Sequence, residues 1–227
     1  MKTKKFIHDL SSQDIFDSFN NFIFSDDQKI FDKLASKINF CSITKNIPGN
    51  IVELGVFKGS GMFAWLKSLE FNSSKNKKVI GFDLFNKNKL LTSIKTDDKE
   101  LMNKLFLQRS FKIDGYDKIL IEILKKSKFN NYEIIKGNVE NTVKNYLKKN
   151  LGFRASIVNF DLDVYKPTLT CLNLLWPRLV KGGIFIFDEY NINEWSESDA
   201  VDEFIDQKKI KIKTTNLISP SAFLTKE

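Results

Sequence analysis

A largely parallel α/β fold is predicted by two features of this 227-residue chain. From Asn50 onward, short β-rich runs alternate with segments of helical periodicity, and each run ends in a turn carrying glycine or an acid. Strands separated by helices form βαβ units, which close into a parallel sheet. Ahead of this body, Ile15, Phe16, Phe19 and Phe22, then Ile30, Phe31, Leu34 and Ile38, predict one or two helices, with Pro48-Gly49 as the break.

The elements follow in order. Asn50–Leu54 reads as the first strand and Ser60–Leu69 as a helix with Phe63, Leu66 and Leu69 inward. Lys78–Leu84 is the second strand. A helix around Ile119, Ile123 and Leu124 follows Asp114-Gly115, then a strand at Tyr132–Ile135 and a helix at Val139–Leu147. Ser156–Phe160 is the fourth strand, and a helix at Leu169–Leu179 is entered through Pro167. Lys181-Gly182-Gly183 reads as a turn before a fifth strand at Ile184–Phe187. A helix at Asp199–Ile205 and short strands near Lys211–Thr215 and Ala222–Thr225 close the chain. The predicted division is an N-terminal helical extension, 1–48, and one domain, 49–227. The polar stretch 86–114 follows a strand's carboxyl end, where a lid would sit.

Composition narrows the function. Two cysteines, Cys41 and Cys171, cannot form a zinc site or a disulfide framework, so a reducing, cytoplasmic compartment is the simplest home. The single histidine, His8, excludes mechanisms built on two imidazoles. No apolar run approaches the roughly 20 residues of a membrane span. Net charge is +8, but only three of the 36 basic residues are arginines, the residue whose planar fork reads guanine and clamps phosphate. The lysines read as solvated faces, with some attraction for anionic small molecules and no nucleic-acid site.

Ligands of parallel sheets bind beyond the carboxyl ends of the strands. The first strand ends in IVELGVFKGSGMF, where Gly55 and Gly59 permit a tight turn, Phe57 lies within it, and Ser60 is placed to cap the next helix. The spacing is neither the dinucleotide GxGxxG nor a Walker loop. Asp83 stands 22 residues after Gly61, near the usual position of an acid that accepts ribose hydroxyls. With Glu53 at the first strand end, this points to a nucleoside-bearing cofactor. The fourth and fifth strands end in NFDLDVYKP and GGIFIFDEYN, so Asp161, Asp163, Asp188 and Glu189 would crowd one crevice. Carboxylates so close repel unless a cation sits among them, and an oxygen-only set selects Mg²⁺ before Ca²⁺ or Mn²⁺. Tyr165, Tyr190 and Trp195 follow these acids, either as substrate-stacking groups or as cover for the sheet edge.

Together, IVELGVFKGSG, GFDLF, IIKGNVENTV, NFDLDVYKPTLTCLNLLWPRLVKGGIFIFDEY and SDAVDEFI resemble the macrocin O-methyltransferase family from about Asn50 to the C-terminus. The resemblance implies a Rossmann-like class I methyltransferase fold: a seven-stranded sheet, order 3-2-1-4-5-7-6, last strand antiparallel, with helices on both faces. It implies S-adenosylmethionine as donor, Mg²⁺ dependence, a sugar or nucleotide-sugar acceptor, and a homo-oligomer. By position, Glu53, Gly55 and Gly59 would line the methionine end of the cofactor, Asp83 its ribose and Asn138 its adenine. Asp161, Asp188 and Glu189 would hold the metal, and Asp163 would be the base. Glu189 stands where the family usually has aspartate, and Asn138 where an acid is common. A metal-dependent methyltransferase for catechol-like diols would use the same acids. A nucleic-acid methyltransferase is disfavoured by the scarce arginine and by the lack of an N/D-PP-Y/F motif.

Overall fold

Seven strands form one sheet in the order β3-β2-β1-β4-β5-β7-β6 in the computed structural model, which describes residues 10–74, 76–86, 98–100, 102–104, 115–192 and 195–227. The strands are β1 (Asn50–Leu54), β2 (Val79–Asp83), β3 (Tyr132–Lys136), β4 (Ala155–Phe160), β5 (Leu179–Phe187), β6 (Lys213–Thr214) and β7 (Ala222–Thr225). The pairs among β1 to β5 are parallel, and β7 runs antiparallel to both β5 and β6. Order and directions are those expected of a class I methyltransferase.

Alternation of side chains along β1 divides the core in two. Val52 and Leu54 face a cluster with Phe82, Phe160, Phe185 and Phe187, covered by α5 (Val139–Lys149), α6 (Tyr165–Leu175) and α7 (Glu197–Lys208). Ile51 faces the other layer, where Trp65, Leu66 and Leu69 of α3 (Ser60–Phe71) and Leu120 and Leu124 of α4 (Tyr116–Lys126) pack. Phe40 and Cys41 of α2 (Gln28–Ile43) close that layer. The inward face of α3 is thus Met62, Trp65, Leu66 and Leu69, with Phe63 only partly buried.

The N-terminal helices form with clear caps. Ser11 and Asp14 make a capping box at α1 (Ser12–Ile23), and the Asp27 side chain accepts the Ile30 N–H at α2. None of the α1 residues is buried, and Ile15, Phe16, Phe19 and Ile23 leave an apolar face in solvent.

Three expectations are corrected. The sixth helix starts earlier, at Tyr165, and gives way at Pro177, which lacks an N–H, to a 3₁₀ turn over Trp176–Arg178. Lys181-Gly182-Gly183 is not a turn before β5 but lies inside it. There the pairing with β4 jumps from Ala155↔Leu179 to Ile157↔Ile184, leaving a bulged segment. Ser60 does not cap α3; Gly59 is the N-cap and makes no side-chain bond. The lid expected over 86–114 lies outside the described residues apart from Asn86, 98–100 and 102–104.

Candidate active site

The register brings the predicted acids to one edge. Phe160 pairs with Phe187 and Leu54 with both Phe82 and Phe160, so Asp83, Asp161 and Asp188 stand along one edge, at the carboxyl ends of β2, β4 and β5. The Asp161 N–H donates to the Leu54 carbonyl at 2.9 Å and the Asp188 N–H to the Phe160 carbonyl at 3.0 Å, which locks their spacing. A separate cleft of about 940 Å³, near Lys45–Asn50 and Arg154, opens at the opposite, amino-terminal edge, away from every one of these acids.

The first turn is built around two carboxylates. Gly55 has φ +90°, and a Cβ there would fall 1.9 Å from the Asp161 carbonyl oxygen. Only a residue without a side chain lets the β1 end approach β4 this closely. Gly61 does the same for Glu53: its absent Cβ would meet Glu53 Oε1 at 2.0 Å. Glu53 is buried and accepts the Trp65 indole N–H. Burial raises its pKa, against the opposing pull of Lys37 and that indole. Asp83 is engaged by three backbone donors. Its Oδ2 accepts the N–H groups of Val56 and Phe57, each at 2.8 Å, and Oδ1 accepts that of Phe85 at 2.6 Å. Burial raises its pKa in spite of these three donors. Asn138 is the N-cap of α5, accepting the Glu140 N–H at 2.8 Å, at the carboxyl end of β3.

Among the described residues, oxygens of Asp161, Asp163 and Glu189 lie within 4.8 Å of one another. Asp188 stands beside them, fully buried, with its Oδ1 accepting the Ser219 hydroxyl at 2.9 Å and its Oδ2 paired to Lys33. Asp163 has φ +65°, which turns its carboxylate away from the course of an extended strand. Burial, then Asp188, pushes Asp161 well above the carboxylate range, with Lys33 opposing. Burial, Glu189 and Asp188 raise Asp163 to about 7. Glu189 is raised by burial, against Lys29. Burial also pushes at Asp188, but Lys33, Lys37 and the Ser219 bond outweigh it and hold this carboxyl low.

Sequence reasoning missed four participants. Lys29, Lys33 and Lys37 recur every fourth residue of α2 and so share one face. Lys29 Nζ contacts Glu189 Oε1 at 2.8 Å and Oε2 at 3.0 Å. Lys33 Nζ pairs with Asp188 and lies 3.8 Å from Asp161 Oδ2. Lys37 covers the Trp65 ring at 4.8 Å. The fourth is Glu197, fully buried, whose Oε1 accepts the Glu189 N–H at 3.1 Å and whose Oε2 has no hydrogen-bond partner among the described residues. The lysine spacing was a readable signal; Glu197 looked like any acid in a first helical turn. The Tyr165 hydroxyl donates to Glu203 and that of Tyr190 to Asp202 at 2.8 Å, so both rings are tethered to α7.

The family model for macrocin O-methyltransferase (TylF) matches residues 27–225. The chain belongs to the macrocin O-methyltransferase family. It is therefore an O-methyltransferase, and α2 falls inside the matched span. Solved structures repeat its fold. The calicheamicin methyltransferase CalS11 superposes with a TM-score of 0.74 at 21% identity, covering 96% of this chain and 86% of its own. The O-methyltransferase NovP gives 0.68 at 17%, covering 86% and 79%. The S-adenosylhomocysteine-bound methyltransferase PaMTH1 of Podospora anserina gives 0.54 at 11%, covering 96% and 97%. No curated protein matches the sequence significantly. No helix among the described residues is long and apolar enough to cross a membrane.

Proposed function

We propose that this chain transfers a methyl group from S-adenosylmethionine to a sugar hydroxyl with the help of a divalent cation, Mg²⁺ first. The observation that carries the reading is the group formed by Asp161, Asp163 and Glu189 beside the Gly55 turn, at the ligand-binding edge of a family-typical sheet. The donor set suits a hard cation. It is oxygen-only, and five carboxylates, Asp161, Asp163, Asp188, Glu189 and Glu197, face two close lysines, Lys29 and Lys33.

Asp161, Asp188 and Glu189 would hold the ion, at the ends of the neighbouring strands β4 and β5. A bound divalent ion lowers the pKa of a hydroxyl that ligates it. Asp163, within the same 4.8 Å group, accepts the hydroxyl proton. The turn from Gly55 to Gly59, stiffened by Asp83, positions the cofactor's methionine end. Its ribose would approach the remaining lone pairs of Asp83, and its adenine Asn138. Ser60 and the uncapped first turn of α3 offer N–H groups to the cofactor's carboxylate. The reaction then needs alignment more than activation, because a sulfonium methyl is already electrophilic.

CalS11 is described as a TDP-rhamnose 3'-O-methyltransferase, so a deoxythymidine-diphosphate sugar is the first acceptor to try. The test is calorimetric titration with S-adenosylhomocysteine, with and without Mg²⁺, followed by methyl transfer to a nucleotide-sugar panel. Micromolar binding and Mg²⁺-dependent transfer support the reading. Absence of binding in both conditions removes the cofactor assignment, and transfer indifferent to chelation removes the metal.

The homo-oligomer is proposed on the exposed face of α1. The stretch Phe6–Gln28 carries five aspartates and no lysine or arginine in a chain of net charge +8. That charge repels anionic lipid and complements the lysine-rich body of a second copy. Light scattering of wild type against Phe16→Asp reads this directly: a monomeric wild type overturns it.

A further inference from the structure

The carboxylate cluster already has cations in it. Lys29 and Lys33 project from one face of α2 onto the ends of β4 and β5, and they do so unequally. Lys29 holds both oxygens of Glu189, yet its side chain is 37% exposed and can swing into water. Lys33 meets Asp188, whose side chain is only 1% exposed and whose other oxygen is taken by Ser219. Removing that partner would leave a buried carboxylate unpaired, which is costly. Asp161, at 3.8 Å from Lys33, is held loosely by comparison.

We propose that Lys29 and Lys33 are resident counter-cations with separate parts: a divalent ion displaces Lys29 from Glu189, while Lys33 stays beside Asp188 as a fixed positive charge of the cluster. This rests on reading the cluster as a divalent-cation site. A dication on Glu189 repels an ammonium held 2.8 Å from the same carboxylate, so binding of the ion loosens the Lys29 tether on the first turn of α2. Lys29 acts as a positioning residue that sets the ion's affinity without touching substrate.

The test is Mn²⁺ titration of the full chain by electron paramagnetic resonance, without cofactor. Removing one charge that competes at contact distance, Lys29→Met binds Mn²⁺ about tenfold more tightly. Lys29→Arg, which keeps the pair, stays near wild type. Lys45→Met, beyond the far end of α2, controls for net charge and leaves the affinity unchanged. Equal or weaker binding by folded Lys29→Met overturns the displacement while leaving the cation site intact. Absence of Mn²⁺ binding in both wild type and Lys29→Met overturns the cation site and the displacement together. Where Lys29→Met does not fold, wild type carries the test by amide exchange. Saturating Mg²⁺ speeds exchange in residues 28–33, and unchanged protection there overturns the proposal.

Discussion

The Asp83 carboxylate holds the backbone of Phe57: Oδ2 accepts the Phe57 N–H at 2.8 Å together with that of Val56. The acid at the end of β2 therefore builds the turn at the end of β1. Asp83→Asn sets an amide NH₂ against at least one backbone donor. The expected result is a lower melting temperature together with weaker S-adenosylhomocysteine binding, read by calorimetry on both axes. An acid that served the ribose alone would lose affinity at unchanged stability.

Gly55→Ala tests the approach of β1 to β4. The new Cβ would sit 1.9 Å from the Asp161 carbonyl at φ +90°, so backbone must move. Strain and overpacking together cost about 3 kcal/mol or more. Expected is a protein that unfolds at markedly lower urea, or none in the soluble fraction.

Asp163→Asn is expected to bind S-adenosylhomocysteine as wild type does and to lose turnover by roughly 10²–10⁴-fold. Carbon-detected NMR of the aspartate carboxyls adds a second check. In ion-free protein one aspartate titrates at about 7, raised by burial and by Glu189 and Asp188. Adding Mg²⁺ favours the charged form and moves that titration to lower pH.

Glu197→Gln is expected to stabilise the protein at neutral and higher pH. Burial, Asp163 and Asp188 lift the folded-state pKa of Glu197 well above its ordinary value of 4.5. A raised carboxyl contributes its full stability below the unfolded value and loses it as pH rises through the folded one. The variant's melting temperature therefore exceeds that of wild type at pH 8. The two curves converge below about pH 4.5. Parallel curves across that range would mean that Glu197 is charged at no cost.

The parallel sheet and the shared edge of Asp83, Asp161 and Asp188 were legible from the alternation of strand and helical patterns, since a parallel sheet has one ligand edge; the strand order came only with the family resemblance. The Glu53–Gly61 fit was half-legible: the glycine showed, its reason did not. What stayed hidden was tertiary. Lys29 and Lys33 read as solvated charges, because nothing local shows that their helix crosses strand ends more than a hundred residues away. Gly182-Gly183 reads as a turn because a bulged strand and a loop share the same residues. Asp83's hold on the loop depends on backbone donors, which no side-chain pattern reveals.

The lysine face of α2 bears on where this protein can be shortened. Pro48-Gly49 looks like a natural cut, and the helices before it read from the sequence as an extension. Trimming there would strip Glu189 and Asp188 of their ammonium partners and uncover Trp65, whose ring Lys37 shields. It would also break the bond from the Ile218 N–H to Asp32 Oδ2 at 2.9 Å, which moors the loop before β7. Helix α1, with no buried residue, is a separable part; α2 works as a piece of the catalytic domain that happens to precede its first strand.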